Sequence, residues 1–324
     1  MSKRAAVIFA FIVLVATSCG VVPGTGGGPK IGVVTDIGQL EDKSFNEFSW
    51  KGAQDGAKAI SGTANVIVTK DTADYAQNIQ SFIDQKYDVI VTIGFLIGTD
   101  TRKKAEANPN IQFFGVDQQV QSPAPKNYQG LVWHEDRPGY LAGIVAANIT
   151  KSNKIGAVGG RSDVPPVVAY IKGYENAAKK EKPGIQVTVN YVEDFNAPDK
   201  GEASARTMVG NGVDVIFQVA GGTGAGALRA ACNAKIWGIG VDVDQYTTLP
   251  DAKACIVTSA EKFLQKSVAE ALQRWKDKGP QSGIFEGGWG VSEIRNITAP
   301  AGLQDKLKKA MDDINAGKLD PLKP

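Results

Sequence analysis

Three aspartates and two glycine pairs carry the first chemical signal in this chain. Asp36, Asp117 and Asp242 each follow a short run rich in β-branched residues, and Gly94-Phe95 and Gly221-Gly222 follow two others. An ionised aspartate presents two acceptor oxygens and can take hydrogens from adjacent hydroxyls. A glycine lets the backbone come close to a ligand. This is chemistry for holding a small polar molecule. Bond making would ask for more, and the chain has a single histidine, His134, and three cysteines, Cys19, Cys232 and Cys255. A Ser–His–Asp triad would have only His134 to draw on. A zinc site built from several His and Cys ligands is nearly excluded. With no clear catalytic dyad, no metal site and no cofactor are expected, and the chain reads as a binder rather than an enzyme.

The elements that must position these residues repeat. Lys30-Ile-Gly-Val-Val is echoed by Lys154-Ile-Gly-Ala-Val at an offset of 124, Asp88-Val-Ile-Val by Asp214-Val-Ile-Phe at 126, and Phe114-Gly-Val-Asp117 by Ile239-Gly-Val-Asp242 at 125. Three matches in order at a nearly constant offset point to duplication of a whole domain, far longer than a solenoid repeat. In the first half, residues 31–35, 66–69, 89–93 and 112–116 read as strands. Residues 44–60, 76–85 and 99–107 read as helices, with Ser44 as an N-cap. In the second half, strands are expected at 154–158, 186–191, 215–219 and 237–241, and helices at 169–180, 202–210 and 225–231. Such βαβα alternation with buried apolar strands gives α/β lobes, each a doubly wound parallel sheet with helices on both faces. Ligands of these sheets bind beyond the carboxyl ends of the strands. The aspartates and glycines stand at those ends, so two lobes would face one another across a ligand cleft.

The chain has 324 residues, 43% hydrophobic and 22% charged, enough for a large core and more than one domain. Lys+Arg is 36 and Asp+Glu is 34. Lys3 and Arg4 lie in an N-terminal segment that looks removable, and without them the charges balance at 34 against 34. A chain of that balance has no general basic character with which to hold nucleic acid.

The first 18 residues have the layout of an export signal: a basic start, an apolar run over 5–16, then small residues. The run is shorter than the ~20 residues a membrane-spanning helix needs. Ala16-Thr-Ser-Cys19 resembles a bacterial lipobox, with Ala16 where Leu is usual, which implies a lipid on Cys19 and attachment to the outer face of the cell membrane. The alternative is an ordinary signal peptide with an incidental cysteine. With a lipid on Cys19, residues 19–29, rich in glycine, would be a flexible tether between lipid and domain. Outside the cytoplasm cysteines can oxidise. With Cys19 lipidated, Cys232 and Cys255 remain, as a disulfide or as two small buried hydrophobes.

Several motifs together resemble one family. Asp36 followed by Asp42-Lys-Ser-Phe-Asn46 and Trp50-Lys-Gly52, then Ala73-Asp-Tyr-Ala-Gln-Asn78, Gly139-Tyr-Leu-Ala-Gly143, Ala220-Gly-Gly-Thr-Gly224, Gly240-Val-Asp-Val-Asp-Gln245 and Thr258-Ser-Ala-Glu-Lys262, look like the signatures of the basic membrane protein family. They run over most of the mature chain. These are lipoprotein receptors for purine nucleosides that work with ABC importers, and the resemblance implies a type I periplasmic-binding-protein fold. It implies a site in which Phe45 and Phe217 stack on the purine, Asn46 and Asp117 face the base edge, and Gly222, Asp242 and Lys262 face the sugar, with Asp36 at the cleft rim. It implies an ABC permease as partner. It divides the chain into one lobe over 30–148 plus 258–286 and another over 149–257 plus 287–324. The hinge would be crossed three times, with Thr258-Ser259 on the second crossing.

Other readings of the same residues set the alternatives. Gly222-Thr-Gly224-Ala-Gly-Ala227, with Asp242 some way on, imitates a dinucleotide fingerprint, but an exported chain rarely meets such a cofactor. No arginine cluster or Walker-type loop accompanies the site, so an uncharged nucleoside is expected rather than a nucleotide. A receptor that reports to a membrane signalling partner would have the same cleft, and so would a binder of another polar solute such as a sugar. Asp74, Tyr75 and Asn78 read as the start of a helix, and His134 as the partner of a local hydrogen bond with Glu135 or Asp136.

Overall fold

A computed structural model describes residues 27–323, so the expected signal, Cys19 and most of the tether lie outside the described residues. The first half runs β1 (Lys30–Val34), α1 (Phe45–Ala59), β2 (Thr63–Ile67), α2 (Tyr75–Asp84), β3 (Val89–Ile93), α3 (Gly98–Ala107), β4 (Gln112–Val116) and β5 (Tyr128–Val132). The second runs α4 (Asp136–Ile149), β6 (Lys154–Gly159), α5 (Pro165–Glu181), β7 (Gln186–Tyr191), α6 (Pro198–Gly210), β8 (Val215–Val219), α7 (Gly221–Asn233), β9 (Trp237–Asp242), α8 (Gln245–Thr248) and β10 (Ile256–Lys262). The chain closes with α9 (Leu264–Lys278), β11 (Gly283–Glu286), β12 (Trp289–Val291) and α10 (Leu303–Asn315).

These strands form two six-stranded sheets, ordered β11-β5-β4-β3-β1-β2 and β12-β10-β9-β8-β6-β7. Position for position the orders are the same, which is the duplication seen in three dimensions. The first sheet is parallel throughout, and in the second only β12 runs antiparallel, against β10. Strands β3, β4 and β8 are buried along their whole length, whereas the edge strands β2 and β7 alternate. Burial on both faces explains the continuous apolar runs in the sequence.

Three helices of the second lobe begin four residues before the sequence suggests: α5 at Pro165, α6 at Pro198 and α7 at Gly221. Each first turn is proline or glycine, which reads as loop. Proline is nonetheless well suited to the first helical position, where its missing N–H leaves no bond unmade.

The lobe boundaries also differ from expectation. α4 packs on α5 and α10, and nearly all of its residues from Tyr140 onward are buried in the second lobe's core. The chain therefore leaves the first lobe near residues 133–135 instead of 148. The cause is a pair of glycines on α4. A Cβ at Gly139 would lie 2.2 Å from the Tyr170 carbonyl oxygen, and one at Gly143 would lie 2.3 Å from that of Tyr174, so the two helix backbones touch. β10 pairs along β9, which puts Thr258 and Ser259 inside the second sheet; the second crossing falls at Phe263, just before α9 packs on α1. The third change of sheet lies between Glu286 and Trp289.

Cys232 and Cys255 are joined in a disulfide, tying the end of α7 to the start of β10. Among the described residues no helix is long and apolar enough to cross a membrane.

Candidate functional site

The carboxyl ends of both sheets face a cavity between the lobes. Its first-lobe wall holds Asp36, Asp42, Phe45, Asn46, Gly94, Phe95 and Asp117; its second-lobe wall holds Tyr170, Phe195, Gly221, Asp242 and Lys262.

The first wall is built on the loop from β1 into α1. Asp36 is buried in this wall and does not sit at a rim. Its Oδ1 accepts the Ile37 N–H at 2.8 Å and the Tyr75 hydroxyl hydrogen. Tyr75 begins α2, as its place in the sequence suggests, but its hydroxyl also serves the cleft. Burial pushes the Asp36 carboxyl up to about 6, against the pull of those two hydrogen bonds. Gly94 closes over it with φ +104°, and a Cβ there would stand 2.0 Å from Asp36 Oδ2, so no side chain fits.

Asp42 caps α1. Its Oδ1 accepts from the N–H groups of Ser44 at 2.9 Å and Glu47 at 3.2 Å, and its Oδ2 accepts from Asn46 at 2.9 Å. Burial pushes this carboxyl up to about 7, and the three N–H donors pull the other way. Ser44 makes no cap bond. Its hydroxyl crosses the cleft and donates to Asp242 Oδ2 at 2.7 Å. The sequence expectation of a Ser44 cap fails because Asp42, two residues earlier, already satisfies the helix end. Asn46 is spent on scaffolding: Oδ1 accepts the Asp36 N–H and Nδ2 donates to the Gln39 carbonyl, both at 3.3 Å.

Asp117, just after β4, and Asp242, the last residue of β9, lie in the left-handed region, with φ 59° and 66°. Both carboxylates reach Lys262, whose Nζ lies 2.6 Å from Asp117 Oδ2 and 3.7 Å from Asp242 Oδ1. A third carboxylate, Glu135, stands 3.4 Å away. Burial alone would pull the Lys262 ammonium down, but the three carboxylates hold it above its ordinary range. The same ammonium faces the rings of Phe45 at 4.7 Å, Trp133 at 5.5 Å and Tyr170 at 5.8 Å. Burial raises Asp242, with Lys262 opposing.

Phe217 is not at this site. It lies in the middle of β8, fully buried, with its ring between those of Tyr170 at 6.1 Å and Tyr174 at 5.1 Å. This mid-strand position points the side chain into the sheet's packing layer, away from the cleft. The rings on the second wall are Tyr170 and Phe195. Phe195 follows β7, so the strand-end rule was enough to find it. Gly221 lines the cavity, and Gly222 sits one residue behind it against the Phe195 carbonyl. Glu135 carried no signal of its own, being read only as a neighbour of His134. His134 itself turns from Glu135 and Asp136 toward Glu286, with Nε2 3.4 Å from its Oε1.

The wall thus offers three kinds of grip: rings on both lobes, acceptor oxygens at Asp36, Asp117 and Asp242, and one ammonium. Lys262 is the one cation among the described residues that line the cavity. Among the described residues no group of His, Cys, Asp and Glu is placed to hold a metal ion.

Comparison with known proteins places this geometry. A family of proteins described as PnrA-like ABC transporter substrate-binding proteins, Bmp, matches residues 30–297. The chain is 34% identical over 318 residues to the ABC transporter nucleoside-binding protein BmpA of Lactococcus lactis subsp. cremoris, covering 90% of this chain and 88% of that one. It is 33% identical over 255 residues to a CD4+ T-cell-stimulating antigen of Listeria monocytogenes, covering 74% and 71%. A solved structure of an ABC transporter solute-binding protein from Aeropyrum pernix K1 superposes with a TM-score of 0.75 over 90% of this chain and 83% of that one, at 24% identity. That likeness shows the architecture, the two-lobed α/β fold of type I periplasmic binding proteins.

Proposed function

The chain belongs to the Bmp family of PnrA-like ABC transporter substrate-binding proteins, and from that premise we propose that it captures a nucleoside, preferably a purine, outside the cytoplasm and hands it unchanged to an ABC permease. The observation that carries this reading is the grip on Lys262. One aspartate from each lobe, Asp117 and Asp242, converges on its ammonium inside a ring-lined cavity. A ribose diol supplies the adjacent donors that such carboxylates take, at about 1.5–3 kcal/mol for each charged hydrogen bond. A flat base suits rings on opposite walls, where stacking contributes about 0.5–1.5 kcal/mol per aromatic pair beyond area burial. Phe45 of the first lobe and Phe195 and Tyr170 of the second supply them. Asp36, braced by Asn46 and Tyr75, is the group for the base edge. The nucleoside named for the Lactococcus relative supports the same ligand class.

The ligand is unphosphorylated. Lys262, the one cation among the described residues of the cavity wall, is already matched by three carboxylates, so a phosphate would meet uncompensated negative charge. Attachment to the outer membrane face follows from the lipobox-like Ala16-Thr-Ser-Cys19, with residues 19–29 as the tether.

Calorimetry with adenosine, guanosine, AMP, ribose and an amino acid tests the reading. Nucleosides should bind and the other compounds should not. Binding of AMP as tight as adenosine, or of sugars alone, would overturn it.

A further inference from the structure

Among the described residues, a pair of side-chain hydrogen bonds joins the lobes outside the ligand cavity. Ser44, fully buried just ahead of α1, donates its hydroxyl hydrogen to Asp242 Oδ2 at 2.7 Å, with the Val241 carbonyl oxygen 3.4 Å away. Thr248, the last residue of α8, donates to the Lys43 carbonyl at 3.0 Å. Lys43 and Ser44 belong to the first lobe, since α1 packs on α9; Asp242 and Thr248 belong to the second, since α8 packs on β9 and β10. Thr248 faces a hollow that Asp242 and Lys262 also line, so those two stand between it and a ligand in the cavity. The loop before α1 is shaped for both bonds. Asp42 takes over the capping of α1, which leaves the Ser44 hydroxyl for the other lobe. Lys43 lies in the left-handed region at φ 61°, with its N–H and its Nζ held by Glu47 Oε2 at 3.2 and 3.3 Å. A lysine keeps that conformation only where its surroundings over-determine it. Here the turn presents a carbonyl and then a hydroxyl to the opposite lobe.

We propose that Ser44 and Thr248 form a latch that draws the lobes shut in its own right, so that the closed form is sampled before a ligand arrives. Both are positioning residues. Ser44 fixes the Asp242 carboxylate from across the cleft, and Thr248 fixes the loop that carries Ser44. A bond made only between closed lobes favours the closed state. A ligand then binds more tightly in proportion to the share of molecules already competent to hold it. Neither hydroxyl lies on the cavity wall, so the latch adds to retention and leaves the choice among nucleosides to the wall itself.

This rests on the reading that the lobes close on a nucleoside, so one arm of the test uses nucleosides and the other uses no ligand. In the first, calorimetry compares wild type with Thr248→Val, which keeps the shape and removes the hydroxyl, and with Thr248→Ser, which keeps the hydroxyl. Thr248→Val should weaken every nucleoside that wild type binds by one common factor, about two- to tenfold, as loss of one neutral hydrogen bond would. Thr248→Ser should bind as wild type does. Undiminished affinity in Thr248→Val, a loss confined to one nucleoside, or a loss that serine does not restore overturns the proposal. In the second arm, single-molecule energy transfer reads the separation of the lobes in the ligand-free chain. The dyes sit on cysteines that replace two exposed lysines, Lys103 of α3 and Lys200 of α6. A closed population should be present, and Thr248→Val and Ser44→Ala should each reduce it, Ser44→Ala the more because its bond is to a carboxylate. A ligand-free chain that is open throughout, or a closed population that these variants leave unchanged, overturns the proposal. If no nucleoside binds, the nucleoside reading falls and the dye arm alone decides on the latch.

Discussion

Asp117 and Asp242 are the same residue twice, brought to one cation. Each stands at the carboxyl end of the fourth strand of its half, each has a left-handed backbone near φ 60°, and Lys262 Nζ lies 2.6 Å from the first and 3.7 Å from the second. The left-handed turn at a strand end aims each carboxylate across the cleft. A non-glycine residue holds such a conformation only where its surroundings compensate, and such sites gather at ligand clamps. Duplication of a lobe therefore produced a two-sided grip, and the added element is Lys262 on β10.

Asp242→Asn should weaken nucleoside binding by about tenfold or more while leaving the melting temperature within a few degrees of wild type. The amide keeps an oxygen to accept the Ser44 hydroxyl but loses the charge that strengthens a hydrogen bond to a ligand. Calorimetry together with thermal melting checks both halves. Wild-type affinity in this variant would remove Asp242 from the ligand site.

Phe45 and Phe217 should separate cleanly when each is cut to alanine. Phe45 is half-buried on the cavity wall, so its loss should lower affinity for all purines alike, since stacking tolerates any base. Phe217 is enclosed by Tyr170 and Tyr174, and its loss should cost about 3–5 kcal/mol of stability. Denaturant titration and calorimetry on both variants make the comparison.

That pair also shows what the sequence could and could not tell. The order of strands and helices was legible because buried strands and amphipathic helices write different periods. The aspartates at strand ends were legible because the end of β4 and the end of β9 share a motif. Phe217 was misplaced because a family pattern fixes neighbourhood, not the direction a side chain takes from a strand. Glu135 was invisible for a related reason. Its partner Lys262 is far off in sequence, and only the fold brings the two within 3.4 Å. The lobe boundary at residues 133–135 escaped notice because α4 is apolar nearly all round and carries no mark of the lobe it joins.

Opening the Cys232–Cys255 bridge should lower stability by about 3 kcal/mol and leave ligand preference unchanged. The bridge closes a loop over a sequence separation of 23, for which chain entropy gives a cost of that order. Cys255 immediately precedes β10 and Lys262 ends it, so the bridge and the cleft lie at opposite ends of one strand. The double Cys232→Ser, Cys255→Ser variant, melted with and without adenosine, should lose several degrees in both states by the same amount. A selective loss of the adenosine-induced shift would show that the bridge shapes the cleft after all.

The pH dependence of stability should identify Asp36 by its sign. Its carboxyl is pushed up from 3.8 to about 6 in the folded chain, first by burial. The folded state then binds a proton more tightly than the unfolded state, so this group favours folding most below the unfolded value near 4. That contribution is lost as pH rises through about 6, and above it the buried charge is a constant burden. Asp36→Asn removes the titration and keeps an oxygen for the Tyr75 hydroxyl. Relative to wild type, the variant should therefore gain on the order of 2–3 kcal/mol between pH 4 and pH 7. Urea titrations of both proteins at the two pH values measure the difference directly. A gain that is absent, or that appears only below pH 4, would mean that Asp36 is ionised in the fold and that Tyr75 and the Ile37 N–H outweigh burial.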